Sequence, residues 1–168
     1  QSISYDREIK AGDEVDLGTG VSFIPAVGWG FPDGLLVSDT SVSGTEDFAH
    51  LTATLENGGV TFIVKTGPFT GTADELLDQV NRLNDAYKSI DQSTFTGERQ
   101  SVTTTSGIPG VVQAFVGNNV EGVVVAFVND GVGIEVVVSG PRGSLNNQST
   151  AIEQMIESFV TTAPENDQ

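Results

Sequence analysis

The sequence predicts an α+β domain: an antiparallel β-sheet of about six to eight strands sandwiched by helices in an α/β/α arrangement. Three observations predict it. Residues 111–138 read V-V-Q-A-F-V, G-V-V-V-A-F-V and G-I-E-V-V-V, broken at Gly117-Asn118-Asn119 and Asn129-Asp130-Gly131. These breaks tolerate positive φ and close tight turns, so the stretch is a three-strand meander. Its middle strand, Val123 to Val128, is apolar on both alternating faces, which requires a cover on each side of the sheet. Two amphipathic helices, at residues 72–89 and 149–160, are the covers.

Taken in order, residues 1–12 are polar and peripheral, and Glu14 to Leu17 and Val21 to Ile24 form strands joined through Gly18-Thr19-Gly20. Pro25 ends that ladder because it has no amide hydrogen to donate. A loop with the only tryptophan follows, Ala26 to Gly34, then a short strand from Leu35 to Val37 and a polar excursion from Ser38 to Asp47. Phe48 to Leu55 and Val60 to Lys65 form a hairpin around Glu56-Asn57-Gly58-Gly59.

Thr72 and Glu75 make a capping box for the first helix, with Asp74 and Glu75 at the positive end of its dipole. Its core stripe is Leu76, Leu77, Val80, Leu83, Tyr87 and Ile90. Ser93 to Gly97 reads as a loop, and Glu98 to Thr104 as a polar strand at or near a sheet edge. Residues 106–110 turn into the meander. Ser149 or Thr150 caps the last helix, with stripe Ile152, Met155, Ile156, Phe159 and Val160, and residues 161–168 are a frayed tail. No repeat or composition shift divides the chain, so residues 1–168 are one domain with its core at about 14–160.

With 168 residues, 38% hydrophobic, the chain is long enough to bury a substantial core. No apolar run approaches the ~20 residues needed to cross a bilayer. The formal charge of −16, from 23 acidic and 7 basic side chains, repels phosphate backbones and anionic lipid surfaces, which sets nucleic acid aside as a partner. Without cysteine there is no disulfide, thiolate nucleophile or Cys-ligated zinc. The chain starts at Gln1, and the expectation is a signal peptide or membrane anchor upstream.

No catalytic, cofactor or metal site is predicted. His50, the sole histidine, lies in an alternating strand, and no G-x-S-x-G elbow accompanies it. Neither Asp13, Glu14 and Asp16 nor Glu46 and Asp47 has the spacing of a calcium loop. Gly28-Trp29-Gly30 lacks the spacing of a phosphate cradle. A glycosidase-type carboxyl pair leaves no mark in sequence, since its members need not be near in the chain. The candidate binding residues are aromatic: Trp29 and Phe31 in a Gly/Pro-bounded loop, and Phe69 and Phe95 in the loops flanking the first helix. The competing reading of Trp29 folds it back as a plug in one end of the core.

Three stretches together resemble the Mog1p/PsbP-like domain: Val21 to Trp29, an apolar strand ending in proline and then Gly-Trp; V-V-V-S-G-P at Val136 to Pro141; and I-E-Q-M-I-E-S-F at Ile152 to Phe159. More narrowly, they look like the versions in actinobacterial cell-envelope proteins, the LpqN-type lipoproteins and TtfA-like trehalose monomycolate transport factors. The resemblance implies a membrane-tethered or exported, non-enzymatic accessory domain of the cell envelope. It would support lipid transport or assembly through a membrane-protein partner, with lipid as a further partner, and would meet the membrane only through the upstream anchor. Two other readings stand beside it. One is a small-molecule or lipid carrier with an apolar pocket between sheet and helix, marked by a cavity of several hundred Å³ along the helix stripe. The other is an unrecognised hydrolase, marked by a cleft of titrating groups.

Overall fold

The computed structural model describes residues 7–17, 20–33, 35–36, 52–79, 94–117, 119–129 and 131–161. Among them the strands are, in chain order, β1 (Arg7–Glu8), β2 (Val15–Asp16), β3 (Val21–Phe23), β4 (Gly30–Asp33), β5 (Leu35–Leu36) and β6 (Thr52–Asn57). They continue with β7 (Val60–Pro68), β8 (Thr94–Thr103), β9 (Pro109–Val116), β10 (Val120–Asn129), β11 (Val132–Pro141) and β12 (Val160–Thr161). Helix α1 is described over residues 73–79, and helix α2 is Ser149–Glu157, entered through a 3₁₀ turn, Leu145–Gln148.

The meander forms where its turn residues place it: β9, β10 and β11 pair antiparallel in succession, with Val124 opposite both Gln113 and Val137. It is the centre of an eight-stranded antiparallel sheet of order β1-β4-β6-β7-β11-β10-β9-β8. The β6–β7 hairpin closes with Asn57 opposite Val60, and Gly58 and Gly59 at φ of 59° and 88° supply the left-handed pair that such a two-residue turn needs.

Both faces of the sheet are covered, as the apolar middle strand requires. On one face Val124 and Ala126 of β10 pack with Leu76 and Leu77 of α1. On the other, Val125 and Phe127 join Phe62, Val64, Ile134, Val136 and Val138 in the main core, closed by Ile152, Met155 and Ile156 of α2. The capping box of α1 is in place: the Thr72 amide donates to Glu75 Oε1 at 2.9 Å and the Glu75 amide to Thr72 Oγ1 at 3.1 Å. Arg99 on the edge strand β8 then holds α1 to the sheet, donating to Asp78 Oδ1 at 2.6 Å and Asp74 Oδ1 at 3.1 Å. Partial burial works against the Arg99 charge, but the hydrogen bonds and charges of Asp78 and Asp74 outweigh it and raise the guanidinium pKa.

The structure corrects several boundaries. A second sheet, of order β12-β3-β2-β5, shares the α2 side of the main sheet. Its strands are two or three residues long, too short to show a period. Gly30–Asp33, predicted as loop, is a strand between β1 and β6. Residues 94–97, also predicted as loop, begin β8, which is the edge strand expected of its polar sequence. Helix α2 ends at Glu157, and Val160, predicted on its stripe, pairs with Ser22 in the small sheet. Neither Ser149 nor Thr150 caps α2; Gln148 precedes it without a side-chain cap, because the 3₁₀ turn runs directly into the helix. The N-terminal segment reaches further in than its polar sequence suggests, since β1 extends the main sheet and Ile9 is 2% exposed. His50, the Glu46-Asp47 pair, residues 80–89 of the first helix pattern and the tail from residue 162 lie outside the described residues.

Candidate functional site

The α2 side of the main sheet is filled unevenly. Under the small sheet the space is taken by rings: Phe23 lies 4.6 Å from Phe159 and 5.7 Å from Phe62, centroid to centroid, and Phe127 lies 5.9 Å from Phe159. Towards β8 the same face presents four valines, Val102, Val112, Val123 and Val125. Between these valines and α2 lies a groove of about 390 Å³. Ile152, Ile156 and Leu145 form its far wall, and Ser101, Ser149, Glu153 and Glu157 its polar rim.

Both ends of α2 are pinned, which keeps the groove from closing by collapse of the helix onto the sheet. Before the helix, Glu121 Oε2 on β10 accepts from the amides of Gly143 at 3.0 Å and Leu145 at 3.2 Å. After it, the β8–β9 turn takes the terminal carbonyls. Thr105 donates its amide to the Glu157 carbonyl at 2.9 Å, and Ser106 Oγ donates to the Phe159 carbonyl at 3.0 Å. Ser158 Oγ accepts from the Ile24 amide at 2.9 Å, tying the helix end to the small sheet. The Thr105 bond satisfies a carbonyl that the helix C-terminus leaves without an intrahelical partner.

A second cavity, of about 280 Å³, lies at the β7–β11 end near α1, lined by Lys65, Thr66, Pro68, Phe69, Leu76, Gln79, Gly133 and Glu135. Gly133 has no side chain, so Phe69 and Leu76 can lie directly on β11; a Cβ there would sit 2.9 Å from Phe69 Cβ and 3.0 Å from Leu76 Cδ2. Burial pushes the Glu135 carboxyl pKa up, opposed by the charge of Lys65, its cross-strand partner. Thr66 Oγ1 is buried without a hydrogen-bond partner among the described residues.

The aromatic candidates do not converge. Trp29 is 1% and Phe31 2% exposed, both in the main core, so the core-plug reading of Trp29 is the one the structure displays. Phe69 is half-buried on the α1 side and lines the second cavity. Phe95 stands within β8, opposite Phe115 in register. The acidic residues near the N-terminus serve local structure: Asp13 Oδ2 accepts from the Lys10 amide at 2.8 Å and Glu14 Oε2 from Ser22 Oγ at 2.7 Å. The groove residues were not singled out as a site from sequence, although the carrier reading expected an apolar pocket between the sheet and a helix stripe, without naming the helix. The signal that could have found them is the set of valines at inward positions of three successive strands.

No protein-family profile matches the chain, and no curated protein matches it. Solved structures do. The chain is similar to the solution structure of cyanobacterial PsbP (CyanoP) from Synechocystis sp. PCC 6803, with 13% identity and a TM-score of 0.60 over 92% of this chain and 95% of that one. It is also similar to the Ran-binding protein Mog1p of Saccharomyces cerevisiae, with 11% identity and a TM-score of 0.49 over 93% and 95% of the two chains. A Bacteroides thetaiotaomicron protein matches with 10% identity and a TM-score of 0.48 over 95% of this chain and 52% of that one. The likeness to PsbP shows the fold: the chain has the Mog1p/PsbP-like α+β fold expected from its sequence.

Proposed function

We propose that the chain is a non-catalytic binding domain that takes the apolar part of a small molecule or lipid into the groove between α2 and the valine floor of β8–β10. The observation that carries this reading is the groove itself, about 390 Å³ and walled mainly by Val, Ile and Leu. That volume falls in the range of roughly 300–1,000 Å³ typical of small-molecule sites. Hydrocarbon lining gives affinity through burial, at about 25 cal/mol per Å² of apolar surface removed from water, and offers little chemistry to a bound ligand. The setting that fits is the actinobacterial cell envelope, with the domain tethered or exported as an accessory of lipid transport or assembly. Support for that setting is the resemblance of the three sequence stretches. In that setting a membrane-protein partner would receive or deliver what the groove holds.

The test is titration with N-phenyl-1-naphthylamine, an uncharged dye whose emission rises in apolar surroundings. Saturable binding at one site is expected, and Val112→Phe, which places a ring in the groove, should weaken it at least about tenfold while Trp29 emission stays unchanged. Dye binding that survives both Val112→Phe and Val123→Phe would remove the groove from consideration.

A further inference from the structure

We infer that the groove is selective for a cationic amphiphile: a small molecule whose apolar part lies on the valine floor and whose positively charged head sits between Glu153 and Glu157. This rests on the binding reading above and adds the chemistry of the ligand's polar end.

Three observations carry it. Glu153 and Glu157 stand one turn apart on α2, at the groove's rim, and among the described residues neither carboxylate has an ion pair or hydrogen bond. Like charges at this i, i+4 spacing destabilise a helix, so the pair is a local cost with no folding partner that offsets it. Second, Glu157 ends α2 and Glu153 lies at its midpoint, one turn before it, and the last turn carries no basic residue. The negative end of the helix dipole therefore adds to the two carboxylates instead of opposing them. Third, the rest of the lining carries no charge, so nothing in the groove compensates the negative potential at this exposed rim.

The same charges discriminate among occupants. Anionic amphiphiles and anionic membrane surfaces meet repulsion at the rim and from the net charge of −16. A second copy of the chain would bring its own −16, and the chain's own C-terminal residues add Glu165 and Asp167 and no cation. A groove of about 390 Å³ suits a single short alkyl chain better than a folded surface.

The experiment is displacement of N-phenyl-1-naphthylamine by three amphiphiles of equal chain length, all below their micelle concentrations: decyltrimethylammonium, decyl sulfate and uncharged decyl maltoside. The cation is expected to displace the dye roughly tenfold more tightly than the sulfate, the scale of two partly exposed ion pairs. That preference should vanish in the Glu153→Gln/Glu157→Gln variant, persist in a Glu8→Gln/Glu56→Gln control of equal net charge, and shrink with added salt. Equal binding of all three amphiphiles overturns the charge selectivity and leaves the binding reading standing. Loss of preference in both double variants reduces it to net charge and also overturns it. If no amphiphile displaces the dye, or sedimentation shows that a second copy covers the groove, the binding reading falls with it.

Discussion

Phe23 and Phe159 stack with their centroids 4.6 Å apart, and through this contact the small sheet and the end of α2 share one core. Phe23 belongs to β3, Phe159 follows α2, and both are fully buried. The stack fixes one end of the helix that walls the groove. Phe159→Ala should cost about 3–5 kcal/mol, the range for removing a buried ring. Urea unfolding checks it, and a loss under about 1 kcal/mol would mean that the two elements are not packed this way.

The single tryptophan gives a second check of the core. With Trp29 1% exposed, its emission should be blue-shifted and its quenching by acrylamide or iodide weak, both reverting on unfolding. Native emission like that of free indole, with ready quenching, would return Trp29 to the surface.

Glu121 should matter more than an exposed-strand glutamate ordinarily does, because its Oε2 accepts from both Gly143 and Leu145 ahead of α2. Glu121→Ala should cost about 1–3 kcal/mol, as hydrogen bonds to a charged group do, and speed hydrogen exchange at those two amides. Glu121→Gln, which keeps an acceptor oxygen, should recover part of the loss. An alanine variant as stable and as protected as the parent would show that the contact does not hold the helix.

Glu135 should confer a pH dependence of its own. Burial raises its folded-state pKa above the ordinary 4.5, with Lys65 opposing. In the window between the two values the folded state holds a proton that the unfolded state has lost, so stability falls as pH rises through it. Below 4.5 both states are protonated and the effect disappears. Glu135→Gln should therefore be the more stable protein at neutral pH, with the advantage shrinking as pH is lowered through the window. Denaturant midpoints at several pH values measure this, and an advantage that grows on acidification would contradict it.

What the sequence determined by itself is the part written in local patterns. Gly58-Gly59 and the breaks around residues 117–119 and 129–131 place turns, alternation at Val123 to Val128 demands two covers, and Thr72 with Glu75 starts a helix. Each signal acts through neighbours a few residues apart, so it is legible without the fold. Tertiary structure decided the rest. Strands such as Val15–Asp16 and Val160–Thr161 are too short to carry a period and exist because a distant partner supplies their hydrogen bonds. Whether Trp29 is wet or buried depends on β1, β6 and the main core closing around it. The groove is decided the same way: the gap between Val112 and Ile152 follows from where Glu121 and the Thr105-Ser106 turn hold the two ends of α2, residues far apart in the chain that meet only in the folded protein.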